Sequence, residues 1–149
     1  MTTMTLSPDY GLVIFSCSVS TFIVTQFLGG DVMKARKAFD VPYPNLYATP
    51  GFHKKADEFN RVQRGHQSVF ESLTPAVAMC AAGGLIYPRL SSAFMHTYLM
   101  GSVLFLKGYA DVKLDVKNAR YKKGGVLKPI GLLGLLVTSG MASWAVYKQ

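Results

Sequence analysis

Charge is what this 149-residue chain has least of. Only 16% of its residues are Asp, Glu, Lys or Arg, against about 25% in an ordinary soluble domain. Residues 11–30, 72–88, 90–106 and 129–147 carry none at all. Each run is close to the ~20 residues with which a helix crosses the hydrocarbon core of a bilayer. GLVIFSCSVSTFIVTQFLGG and IGLLGLLVTSGMASWAVY offer no charged face to water, which excludes a soluble four-helix bundle. Cysteine is also scarce. Cys17 and Cys80 both fall inside apolar runs, too few for a disulfide framework, and read as small packing residues. The three histidines, His53, His66 and His96, show no metal-ligand spacing, so no metal is expected. No segment repeats, and the chain reads as one domain, 1–149. The opening MTTMTLSPDYG lacks a basic stretch, so the first apolar run is expected to remain as a span.

Acidic residues are few as well: eight against sixteen basic ones, a net charge of +8. Lys34, Arg36, Lys37, Lys54, Lys55, Arg61 and Arg64 lie between the first and second apolar cores. Lys107, Lys113, Lys117, Arg120, Lys122, Lys123 and Lys128 surround the third connection, while the second has only Arg89. Basic loops stay on the cytoplasmic side or its organellar equivalent, so the termini are expected on the opposite face. The charge is then explained by topology and by contact with membrane lipids, not by nucleic acid.

The expected fold is all-α: an integral membrane four-helix bundle with spans of about 10–30, 66–88, 90–109 and 127–147. Ser7 and Pro8 suit a cap and first turn, and helix formers carry the first helix on to about Phe39. VPYPNLYATPG is a loop. The second helix starts near Asp57 and closes at Tyr87-Pro88. A short connection makes the second and third helices an antiparallel hairpin. The third helix runs from about Ser91 to Asp111, and residues 113–125 form a basic turn ending in Gly124-Gly125. Pro75 and Pro129 fall inside or near the start of spans, where kinks are tolerated.

Against that background FNRVQRGHQSVFE, residues 59–71, is out of place. Asn60, Arg64, Gln67 and Glu71 lie along one stripe of a 3.6-residue helix as it enters the membrane. Ionisable groups there are costly without partners and mark functional sites. The stripe points to a small, polar, zwitterionic ligand; a self-satisfied network between packed helices is the alternative.

Four stretches carry a resemblance to a known family. They are Lys34-Ala35-Arg36-Lys37, then Val41-Pro42-Tyr43-Pro44-x-Leu46-Tyr47-Ala48, then Phe59-Asn60-x-Val62-Gln63-Arg64-Gly65-His66-Gln67, and lastly Lys107-Gly108-Tyr109-Ala110. In this order and spacing the chain resembles the MAPEG proteins, membrane-associated proteins of eicosanoid and glutathione metabolism, and within them the type-3 microsomal glutathione transferases of plants and algae. The resemblance implies a homotrimer with glutathione, as co-substrate, bound between neighbours. It implies that Arg36 and Lys37 from the first helix, and Arg64, His66, Gln67, Ser68 and Glu71 from the second, bind glutathione. Tyr109 matches a family tyrosine and is the expected catalytic group. Guanidinium groups can clamp carboxylates in bidentate fashion. A nearby cation or phenol stabilises the thiolate that attacks an electrophile or peroxide.

The chain departs from the pattern in three places. Ser68 stands where the family usually has asparagine. Ser102-x-x-Phe105 replaces the usual Arg-x-x-Tyr on the third helix. The arginine beyond that helix has no certain counterpart among Lys113, Lys117 and Arg120. Two functions are therefore expected to compete. One is a glutathione transferase or glutathione-dependent peroxidase acting on lipophilic electrophiles or lipid hydroperoxides. The other is a non-catalytic structural subunit of a larger membrane complex. An endoplasmic reticulum or mitochondrial membrane is the expected location.

Overall fold

The computed structural model describes residues 5–148. These form five helices: α1 (Tyr10–Phe39), α2 (Ala56–Gly84), α3 (Pro88–Ala110), α4 (Val116–Lys122) and α5 (Leu127–Tyr147). There is no strand among the described residues. The four long helices have 30, 29, 23 and 21 residues. At ~1.5 Å per residue even the shortest is about 31 Å long, enough for a hydrocarbon core of about 30 Å.

Two helices, α1 and α5, are apolar enough along their length to span a membrane on composition alone. Their apolar side chains also point outwards. Phe22 is 65% exposed, Ile23 58%, Leu133 61% and Trp144 58%. A soluble fold does not leave such continuous apolar faces in water. The other two long helices are more polar because α2 carries Arg61, Arg64 and Glu71, while α3 has Arg89 and Lys107 near its ends.

The core lies where α2, α3 and α5 meet, with α1 leaning on α2 and α3. Val13, Ala76, Cys80, Met95, Tyr98, Leu99 and Leu135 form its centre. Tyr98 is fully buried and donates its hydroxyl to the Val69 carbonyl at 3.0 Å, with Ser72 Oγ 2.9 Å away. Cys17 and Cys80 are free thiols. Helices α3 and α5 approach most closely. A Cβ at Gly101 would lie 2.0 Å from the backbone nitrogen of Lys128, and one at Gly131 would lie 2.3 Å from that of Tyr98. Only glycine permits this contact, which draws the first turn of α5 into the bundle.

Helix α1 is continuous but takes a π-helical turn at Ser16–Ser20. Ser16 Oγ bonds the Leu12 carbonyl at 2.7 Å and meets Ser92 Oγ at 2.6 Å, while Thr21 Oγ1 bonds the Ser16 carbonyl at 2.9 Å. Side-chain hydroxyls compete there with the backbone ladder.

Several boundaries differ from the sequence expectations. Asp9, not Ser7, is the residue before α1; Ser7 makes the preceding turn, its carbonyl accepting from the Tyr10 amide at 2.9 Å. Helix α2 ends at Gly84, and Pro88 does not close it but opens α3, where its missing N–H is harmless. The basic segment after α3 is not a plain turn. It contains α4, capped by Asp115, whose carboxylate accepts from the Lys117 amide.

Candidate functional site

Helix α2 distributes its polar side chains over two sides. Arg64, Ser68 and Glu71, spaced at four and three residues, face α3 and α5. They border a cleft of about 280 Å³ whose other walls include Phe105, Tyr121, Lys128, Pro129 and Leu132. Arg64 Nη1 donates to Glu71 Oε1 at 2.6 Å, and both side chains are about half exposed. An exposed pair of this kind contributes only about 0–1 kcal/mol, so either partner can exchange the other for a ligand charge at little cost. The Glu71 carboxylate hydrogen-bonded to Arg64 raises the guanidinium pKa, keeping it a permanent cation.

Lys128 stands opposite. It is only 8% exposed. Its Nζ donates to the Ser68 carbonyl at 2.6 Å and to Ser68 Oγ at 3.1 Å, and lies 4.8 Å from the centre of the Phe105 ring. Sequence reasoning missed this residue by counting it among the basic loop residues. The one available signal is its place at the start of the fourth apolar run, ahead of Pro129.

Asn60 and Gln67, the other members of the sequence stripe, turn to the loop after α1. Asn60 Oδ1 accepts from the Ala48 amide at 2.8 Å and its Nδ2 donates to the Ala48 carbonyl at 2.9 Å. Gln67 accepts from the Tyr47 hydroxyl. These bonds fix the proline-rich loop onto α2.

Arg36 and His66 lie together in a separate cleft of about 360 Å³, with Gln26, Gly29, Tyr43 and Gln63. Arg36 Nη1 donates to the carbonyls of Val41 at 3.3 Å and Asn45 at 2.7 Å, and its guanidinium stacks 4.4 Å from the Tyr43 ring. Lys37 is exposed beside it at the end of α1, a favourable place for a cation. One chain thus sets Arg64 and Arg36 in different clefts.

Tyr109 stacks on Phe105, ring centres 6.2 Å apart. Its carbonyl accepts from Arg61 Nε at 2.7 Å. Arg61 Nη2 also holds the carbonyls of Asp111 and Leu114, at 2.9 and 3.0 Å. Buried Arg61 therefore ties the end of α3 to α2. Ser102 is buried and bonded to the Tyr98 carbonyl of its own helix at 2.8 Å, so it offers no polar group to the cleft. Asp111 follows Tyr109 at the turn, where Lys123 Nζ lies 2.7 Å from Oδ2 and the Lys113 amide 3.0 Å from Oδ1. These two contacts, Lys123 first, hold its carboxyl below the usual carboxylate range.

The model of the MAPEG family matches residues 14–147. The chain belongs to the MAPEG family. The match spans all five helices apart from the first turn of α1. MAPEG proteins are membrane helical bundles and include glutathione transferases and related proteins, and the apolar outer faces of α1 and α5 agree with a membrane-associated chain.

Proposed function

We propose that this MAPEG protein is a membrane-bound glutathione transferase or glutathione-dependent peroxidase, of the type-3 microsomal kind, acting on lipophilic electrophiles or lipid hydroperoxides. The observation that carries this reading is the exchangeable Arg64–Glu71 pair at the mouth of a cleft that continues to buried Lys128. Glutathione has two carboxylates, one ammonium and a thiol. Arg64 suits a carboxylate, Glu71 suits the ammonium, and the apolar wall of Phe105, Pro129 and Leu132 suits a lipophilic partner.

The assembly proposed is a homotrimer of four-span subunits. Arg36 and Arg64 face different clefts of one chain, which supports a ligand held between the Arg64 cleft of one subunit and the Arg36 cleft of its neighbour. The membrane of the endoplasmic reticulum or mitochondrion is the proposed location. Purified protein reconstituted in nanodiscs tests the activity. Glutathione-dependent consumption of a lipid hydroperoxide, or conjugation of a lipophilic electrophile, well above the protein-free rate is expected.

One observation favours a second reading, a non-catalytic structural subunit. Ser102 and Phe105 leave α3 without a polar side chain facing the cleft. Absence of both activities in protein that still binds glutathione would select it.

A further inference from the structure

The Arg64 cleft contains two cations at two depths. The Arg64 side chain is 45% exposed, whereas Lys128 is 8% exposed as a residue. The Lys128 ammonium has three N–H groups. Ser68 takes two of them through its carbonyl and hydroxyl, and Phe105 presents a ring face. These partners are neutral. None of the ion pairs among the described residues involves Lys128. Glu71, the carboxylate of the same cleft, is bonded to Arg64. Arg64, Lys128 and Glu71 together leave the cleft with one positive charge in excess, and it resides on the buried member. A buried cation whose direct partners are all neutral, with the nearby Glu71 carboxylate already bonded to Arg64, is favoured when a further anion joins it.

We propose that Lys128 holds the thiolate of the bound thiol substrate. The sulfur would lie between the ammonium and the apolar wall of Phe105, Pro129 and Leu132. This rests on the glutathione reading above. Carboxylates are strongly hydrated and belong with the exposed guanidinium. A sulfur anion is larger and more polarisable, and it must meet a lipophilic co-substrate where the wall is apolar. On binding, the S–H bond breaks, the sulfur keeps the electron pair and the proton passes to water at the cleft mouth. The ammonium is not consumed. Ser68 positions it, and the Gly101 contact seats the Lys128 backbone. The shorter hydroxyl of Ser68 thus has a partner here, and the cation that α3 lacks comes from α5.

The test uses full-length wild type, Lys128→Met, Lys128→Arg and Ser68→Ala in nanodiscs, each checked for a monodisperse elution profile. Thiolate absorbance in the ultraviolet is followed against pH with saturating glutathione. Affinities for glutathione and S-methylglutathione are measured in parallel. In Lys128→Met the pH at which thiolate appears should rise by about one unit or more, a tenfold loss of thiolate at fixed pH. Lys128→Arg should keep most of the wild-type behaviour, and Ser68→Ala should shift in the same direction by less. S-methylglutathione, which has no thiolate, should bind wild type and Lys128→Met alike. An unchanged thiolate midpoint in Lys128→Met overturns the inference, whatever Ser68→Ala shows. So does an equal loss of affinity for the two ligands, which would place Lys128 on a carboxylate. Failure of wild type to bind either ligand overturns the glutathione reading itself and the inference with it.

Discussion

At the scale of single residues, the proposed function assigns binding and chemistry to different side chains, Arg64 in the cleft and Tyr109 beside its Phe105 wall. Arg64 is the exposed cation whose partner can be exchanged. Arg64→Ala removes a charge-assisted contact of about 1.5–3 kcal/mol. The dissociation constant for glutathione should rise roughly ten- to a hundredfold, measured by calorimetry, while the unfolding temperature changes little because the Glu71 pair is half exposed. Tyr109→Phe keeps the ring stacked on Phe105 and deletes only the hydroxyl. It should lower turnover with little effect on glutathione affinity, a split visible in kcat against KM. Asp111 makes a pH prediction. Its folded-state pKa is depressed by Lys123 and the Lys113 amide. Its stabilising contribution is therefore fully present above the unfolded carboxylate pKa of about 4 and is lost as pH falls through the folded value. Thermal unfolding in detergent should show an acid loss of stability in wild type that is smaller in Asp111→Asn.

At the scale of the elements, α3 and α5 are held together by glycine. A Cβ at Gly101 would strike the Lys128 backbone, and one at Gly131 would strike the backbone of Tyr98 and Phe94. Backbone cannot move aside as a long side chain can, so Gly131→Val should cost about 1–3 kcal/mol, read as a lower unfolding temperature. Gly101→Ala should also displace the first turn of α5 and reduce turnover more than it reduces affinity. This packing marks the limit of what the chain shows before it folds. The apolar runs of α1 and α5 are local properties and are legible directly. So are the loop prolines of residues 42–50 and the α2–α3 hairpin. The polar stripe of α2 is legible as a helix face, but its division is not. Asn60 and Gln67 turn away to the loop because Ala48 and Tyr47 fold back onto them. Lys128 is illegible for a similar reason. By position it belongs to a basic connection, and only the approach of α5 to Gly101, 27 residues earlier in sequence, makes it a buried cleft residue. Helix α4 is missed because its seven residues form one short, basic segment next to a Gly-Gly turn.

At the scale of the whole molecule, the outward apolar faces of α1 and α5 agree with a membrane-associated chain, and the homotrimer proposed above is tested on the intact protein. With α1, α2, α3 and α5 all spanning, as proposed, residue 7 lies on the side opposite the α1–α2 loop. Cysteine-accessibility labelling should find residues 55 and 117 on one face and residue 7 on the other. The oligomer should behave as a trimer in mild detergent by native mass spectrometry. The measurement closest to the central claim is calorimetric titration of glutathione into that oligomer, wild type beside Arg64→Ala. The account predicts micromolar to low-millimolar binding by wild type and a loss of roughly tenfold or more in the variant. Absence of binding to the intact wild-type oligomer, or equal binding by both proteins, would contradict it.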